Sequence, residues 1–491
     1  MKRPQDLGRG ASSAVRKRCT ALAGQSERTI LLGTVLIATA ISAVTGFVLT
    51  QYFSIDVLSS LVFVPDDCSP DLSMHVGRHC FSDYGAAATG AMLPNPWDPG
   101  VSNYPAAGML PHLTFGLLGE WLHAPLLGLL SYLLVLTIAV FTPAIWAAKG
   151  ACGLERIVVF LACGVVAIPV WMVIDRGNSA GFVVPIALVF LVALCRQRWG
   201  LVTIMVILAA LVKPQFAVLG VALFAARQWR LGGIAVIGVL LSNIAAYLVW
   251  PQNFPETIAQ SIHRIFGYGS FKLRTGLNAS FGRALLLLPD NIEAAANGGK
   301  IPDGFLAGPR SMIGYVILVL VVVAIVALGR RIPPVMVGIT LLPTASLFVA
   351  VNVPYYLVFA LPIAALVVRD PDGPPGTGIF ERPALVGGRR RAVGICVSLA
   401  AAFTIAQIAI PSPAIHEQGM GVIEEGGNLA IPDNWVVVTT MLYTPLLWLV
   451  ACVAVVVSYA RRPAQEQVQD AAVSNSSSSE PETKAAPQPP A

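Results

Sequence analysis

Charged side chains are scarce in this chain. Lys, Arg, Asp and Glu make up 12% of its 491 residues, about half of the roughly 25% carried by soluble domains. That deficit excludes a water-soluble enzyme, and an apolar content of 56% excludes a disordered scaffold. Strict alternation of apolar and polar residues is also missing; the apolar runs are continuous, which excludes an outer-membrane barrel. The sequence has no internal repeat and only one broken apolar hairpin. Many transporters instead pair broken helices across a repeat, with ionisable groups near mid-membrane. A formal charge of +6 is too small to point to nucleic acid. What remains is an all-α, polytopic membrane protein.

Each crossing needs roughly 20 apolar residues to span about 30 Å. The run Ile30 to Thr50 follows the basic residues Lys2, Arg3, Arg9, Arg16, Lys17, Arg18 and Arg28. It is longer than the apolar stretch of about 7–15 residues in a cleaved signal peptide, so it reads as a retained signal-anchor with a cytoplasmic N-terminus. Further spans are expected near 124–148, 156–174, 179–195, 231–250, 312–329, 334–351, 355–368, 392–410 and 435–460. In this scheme 23 of the 32 Lys and Arg fall on the inner side, the side that basic residues favour. Between Arg198 and Arg227, both expected inside, lie 28 residues broken by Lys213-Pro214-Gln215. Two legs of about 13 residues would each rise only roughly 20 Å. Residues 199–229 are therefore expected to form a short hairpin that enters from the cytoplasmic side and turns inside the protein or at a thinned outer edge. Counting it as two helices gives about 12 (roughly 10 to 13) transmembrane helices in the plasma membrane, with both termini cytoplasmic.

The expected organisation is a basic segment 1–29, a transmembrane domain 30–460 and a Ser- and Pro-rich disordered tail 461–491. Large extracytoplasmic loops are expected at 51–123 and 251–311, with a shorter one at 411–434. Within the first, Ala106 to Leu122 reads as a helix lying in the membrane interface. All six histidines (His75, His79, His112, His123, His263, His416) and Asp66, Asp67, Asp71 and Asp83 map to the outer side. Of eight cysteines only Cys68 and Cys80 lie outside, where an oxidising exterior allows either a disulfide or two free thiols. With His75 and His79 they match no strong zinc spacing; no cofactor is expected, and metal dependence stays open.

Cations on the same side invite an anion. Arg264 and Lys272, with others in the second loop, are either phosphate donors or solvated charges facing headgroups. Arg176 ends a span in Asp175-Arg176-Gly177-Asn178. Lys213 is a lone ammonium in an apolar hairpin, which costs several kcal/mol unless it meets an anionic ligand or a structural acid such as Asp175.

The order of motifs is the first-loop acids, Asn103-Tyr104-Pro105, Asp175-Arg176-Gly177-Asn178, Lys213-Pro214-Gln215, Arg227-Gln228-Trp229-Arg230, Asn278-Ala279-Ser280 and Tyr355-Tyr356. Over about residues 30–410 this order resembles the GT-C superfamily. Within it the pattern is similar to glycosyltransferase family 87, which holds polyprenyl-phosphate-dependent mannosyl- and arabinofuranosyltransferases of actinobacterial envelopes. The resemblance implies a GT-C-like fold and an inverting transfer from a polyprenyl-phosphate sugar to an envelope glycan or glycolipid at the outer face. It also implies a first-loop aspartate as general base, with Tyr104 and Asn178 in the same site. Asp83, 21 positions before Tyr104, and Asp71, 33 before it, both match that pattern. The donor phosphate is expected at Lys213 and Arg176, with Arg264 or Lys272 contributing. Competing expectations are a flippase for a lipid-linked sugar and a non-catalytic envelope assembly factor.

Overall fold

The computed structural model describes residues 24–53, 81–98, 101–102, 104–271, 278–296, 312–388, 390–410 and 438–461. Asp66, Asp67, Asp71, Lys272, Cys68, Cys80, the N-terminal segment up to residue 23 and the tail from 462 lie outside these residues.

The described chain is almost entirely helical. Helices α1 (Glu27–Phe53), α2 (Ser82–Ala91), α3 (Ala106–Trp121) and α4 (Pro125–Ala148) come first. Next come α5 (Leu154–Phe160), a π-helical turn (Leu161–Val165) and α6 (Ile168–Arg176). Helices α7 (Val183–Cys195), α8 (Trp199–Val212), α9 (Val221–Ala225), α10 (Trp229–Ala246), α11 (Glu256–Phe271) and α12 (Phe281–Ala296) follow. The set closes with α13 (Ile313–Leu328), α14 (Pro334–Leu347), α15 (Ala360–Val368), α16 (Arg391–Ile405) and α17 (Thr444–Ala460). One departure from an all-α chain is a two-stranded antiparallel ribbon, β1 (Ala409–Ile410) with β2 (Val438–Thr439).

Among the described residues, five helical stretches are long and apolar enough to cross a membrane: Glu27–Tyr52, Pro125–Ala148, Trp229–Val249, Ile313–Arg331 and Thr440–Ala460. The bent pair Leu154–Val165 and Ile168–Arg176 makes a sixth, and six further apolar helical stretches have only 10–17 residues. The sequence expectation of about 12 crossings is therefore met by length at only five or six of them. The long helices turn bare hydrocarbon outward, for example Ile37, Val44 and Phe47 on α1 and Leu240 and Leu241 on α10. Such extended apolar faces are unsuited to water.

The span expected as one helix over 156–174 bends by 47°. The π-turn leaves the α-helical ladder, and Pro169 at the start of α6 cannot donate into it. Within 199–229 two short helical legs meet at Lys213-Pro214. A residue before proline is pushed out of the helical region; Lys213 is accordingly extended (φ −145°, ψ 112°) and ends α8. Pro214 then opens a tight 3₁₀ stretch, Pro214–Gly220, that runs into α9. At 1.5 Å per residue α8 rises about 21 Å, short of a bilayer core of about 30 Å.

The two ends of the bundle differ chemically. At one end Arg28 pairs with Glu155 at 2.7 Å, Arg391 with Glu27 at 2.8 Å, Arg196 with Asp372 at 2.7 Å and Arg382 with Asp370 at 3.2 Å. The first two pairs join the start of α1 to those of α5 and α16, the third joins the end of α7 to the segment after α15, and the fourth lies within that segment. Trp97, Tyr247 and Trp250 pack together at the other end, where Trp250 Nε1 donates to the Ala91 carbonyl and Trp97 Nε1 to that of Tyr104.

Candidate functional site

Four separate parts of the chain meet at the end opposite the arginine pairs: the first turn of α2, the residue before Pro105, the C-terminus of α6 and the tip of the α8–α9 hairpin. A fifth, the Pro354–Phe359 turn, closes the group with Tyr355 and Tyr356.

Asn178 organises it. Helix α6 ends on Gly177 in the left-handed region (φ 63°), with the Asn178 N–H donating to the Val173 carbonyl at 3.2 Å. This is the glycine-terminated closure that frees the next residue to turn. Glycine is doubly required there, because a Cβ would sit 2.7 Å from that of Tyr84. The Oδ1 of Asn178 accepts from the Ala180 N–H at 2.9 Å, capping the turn Ser179–Phe182. With Oδ1 so engaged, both amide hydrogens point the other way. Nδ2 donates to Asp83 Oδ2 at 2.7 Å and to the Tyr104 hydroxyl at 2.8 Å. Asn178 is fully buried, whereas Asp83, Tyr104 and Tyr356 keep partial exposure and mark the open side.

Lys213 reaches the same group from the hairpin. Its Nζ lies 4.0 Å from the centre of the Tyr104 ring and 5.5 Å from that of Tyr356. Two ring faces return about 0.5–2 kcal/mol each, less than the several kcal/mol that burying an ammonium costs. Lys213 is 6% exposed, and the acid whose charge reaches it is Asp83. Arg176, 9% exposed, belongs to the same electrostatic group: its charge and that of Asp83 both act on Tyr355.

An aromatic and imidazole layer backs the cluster. Tyr132 on α4 donates to the Gly177 carbonyl at 2.8 Å and lies 3.1 Å from His112 Nε2 on α3. Tyr84 packs against Tyr132 with the rings tilted by 44° and their centres 4.7 Å apart. Burial first, and then the charge of Lys213, push the His112 pKa down to about 3. The ring is a neutral hydrogen-bonding partner near neutral pH.

Of the residues singled out in the sequence, Asp83, Asn178, Tyr104, Arg176 and Lys213 are thus brought together. Arg264 lies on α11, and among the described residues no hydrogen bond or ion pair joins it to them. Asn278-Ala279-Ser280 has a structural part. Asn278 Oδ1 accepts from the N–H of Ser280 and of Asn352, the Ala279 N–H donates to the Asn352 carbonyl, and Asn352 Nδ2 donates back to the Ala279 carbonyl. This clamp fixes the turn that carries Tyr355 and Tyr356. His112, Tyr132 and Tyr84 were not legible as site residues. His112 lay in plain view as a lone imidazole in an apolar stretch, but its partner is 20 positions away. Among the described residues, no group of three His, Cys, Asp or Glu is placed to hold a metal ion.

Comparison with family models, with curated proteins and with solved structures found no match.

Proposed function

We propose that the chain is an inverting glycosyltransferase of GT-C-like architecture with about 12 crossings. It moves a sugar such as mannose or arabinofuranose from a polyprenyl phosphate to an envelope glycan or glycolipid. The observation that carries this is the bridging of a carboxylate and a tyrosine by one buried amide, with a buried ammonium against the same tyrosine.

The chemistry follows from these groups. Inverting transfer breaks the bond between the anomeric carbon and the phosphate oxygen while the acceptor oxygen attacks from the opposite side. The acceptor hydroxyl proton passes to Asp83, partly exposed and fixed in direction by Asn178. The leaving polyprenyl phosphate gains negative charge, which Lys213 and Arg176 neutralise. Among the described residues Lys213 Nζ donates no hydrogen bond, so its three donors are available to phosphate oxygens. A donor phosphate would also offset the burial cost that the two tyrosine rings leave unmet.

Sidedness enters through charge. Arginine clusters favour the cytoplasmic end, which supports reading the Asp83 cluster as extracytoplasmic, on the side where a lipid-linked donor would meet an envelope acceptor. Purified protein in a nanodisc with a radiolabelled polyprenyl-phosphate sugar tests the proposal. Wild type should release polyprenyl phosphate, and Asp83→Asn should not. A flippase would move the donor between leaflets without consuming it, so an intact donor would exclude transfer.

A further inference from the structure

A cavity lined by none of the residues of the Asp83 cluster lies at the arginine-rich end. The segment from Phe224 to Trp229 and the end of α13 enclose about 460 Å³. Its lining includes Trp229, Val326 and Leu328 together with Arg227, Arg330 and Arg331. All three arginines are exposed, and none has a carboxylate partner among the described residues. Arg28, Arg196, Arg382 and Arg391 at the same end each hold one.

Arg227 occupies the left-handed position (φ 60°) that closes α9, with its N–H donating to Phe224 and that of Gln228 to Leu223. Helix ends usually give that position to glycine. The backbone therefore adopts a costly conformation with an arginine beside the cavity.

The walls continue into lipid. Of the five long crossing helices, α10 and α13 are the least covered by protein. Ile237, Leu240 and Leu241 on α10 and Val319, Leu320 and Val323 on α13 are exposed. We infer that this cavity binds the phosphate head group of an anionic membrane lipid, its acyl chains lying along α10 and α13. Guanidinium groups clasp phosphate through paired N–H donors. Trp229, exposed at the start of α10, is of the type that anchors at headgroups, and basic pockets between membrane helices suit such lipids. The site is independent of sugar transfer and would persist were that reading wrong.

The test uses the full chain in detergent, titrated with dioctanoyl phosphatidylglycerol, with dioctanoyl phosphatidylcholine and with inorganic phosphate, bound ligand being counted by native mass spectrometry. Phosphatidylglycerol should bind, and phosphatidylcholine and phosphate should compete weakly. Each Arg→Gln change at 227, 330 or 331 should weaken it by about fivefold, while Arg330→Lys with Arg331→Lys should retain most of the affinity. Melting temperatures of these exposed-site variants should match wild type, which separates loss of binding from misfolding. Unchanged affinity in the Arg330→Gln, Arg331→Gln double variant would overturn the inference. Equal binding of inorganic phosphate would overturn the lipid assignment.

Discussion

At the residue scale, the proposed chemistry rests on the Asn178 amide, the Asp83 carboxylate and the cations Lys213 and Arg176. Asn178→Ala removes both donors and leaves Asp83 and Tyr104 without their shared partner, so turnover should fall by at least about tenfold, the equivalent of about 1.4 kcal/mol. Donor affinity should change less, and comparing kcat with KM checks that division. Lys213→Met should separate stability from binding. Replacing a poorly compensated buried charge by an apolar side chain of similar length tends to be neutral or stabilising, so the melting temperature should hold or rise while donor binding weakens. A simultaneous loss of both would make Lys213 a structural residue. His112 gives a pH signature. Its folded pKa, near 3, lies below the ordinary value of 6.5, so between those values the unfolded chain takes up a proton that the folded chain refuses. Stability from this group is present above about pH 6.5 and is lost by about 1.4 kcal/mol per unit as pH falls toward 3. His112→Gln should flatten that slope in melting curves recorded from pH 7 to 4.

At the element scale, breaks in helices place the functional groups. The tip of the hairpin was legible because a lysine before a proline interrupts an apolar run too short to cross twice. The bend in α5–α6 was signalled by Pro169, yet the π-turn before it has no composition of its own, so the span reads as straight. The β1–β2 ribbon was invisible, since strands of two residues carry no alternation. The start of α17 was expected at 435 but falls at Thr444, after a 3₁₀ turn over Thr440–Tyr443. Among the site residues, Asp83 and Asn178 sit in local motifs, whereas the His112–Tyr132 contact depends on how α3 and α4 pair. That pairing is close: at Gly128 a Cβ would fall 2.5 Å from the Phe115 carbonyl. Gly177→Ala tests the α6 terminus. A side chain there meets both positive φ and Tyr84, so the variant should lose more than about 1 kcal/mol of stability and most activity, through displacement of Asn178. Full activity with an unchanged melting temperature would contradict this account of Asn178 placement.

At the scale of the whole molecule, the bundle is polarised between an end closed by ion pairs and an end that gathers Asp83, Arg176 and Lys213. The Glu27–Arg391 pair joins α1 to α16 with Glu27 largely buried. Glu27→Gln should lower stability by about 2 kcal/mol, less than a fully buried pair because Arg391 keeps solvent contact, and should leave donor affinity untouched. That result would show the two ends to be energetically separate. The most direct measurement is a single comparison in nanodiscs: binding and consumption of a polyprenyl-phosphate sugar by wild type and by Asp83→Asn. Wild type should bind and cleave the donor, and the variant should bind it with similar affinity yet release no polyprenyl phosphate. Cleavage by the variant at the wild-type rate would contradict the assignment of Asp83 as the base on which the proposed reaction depends.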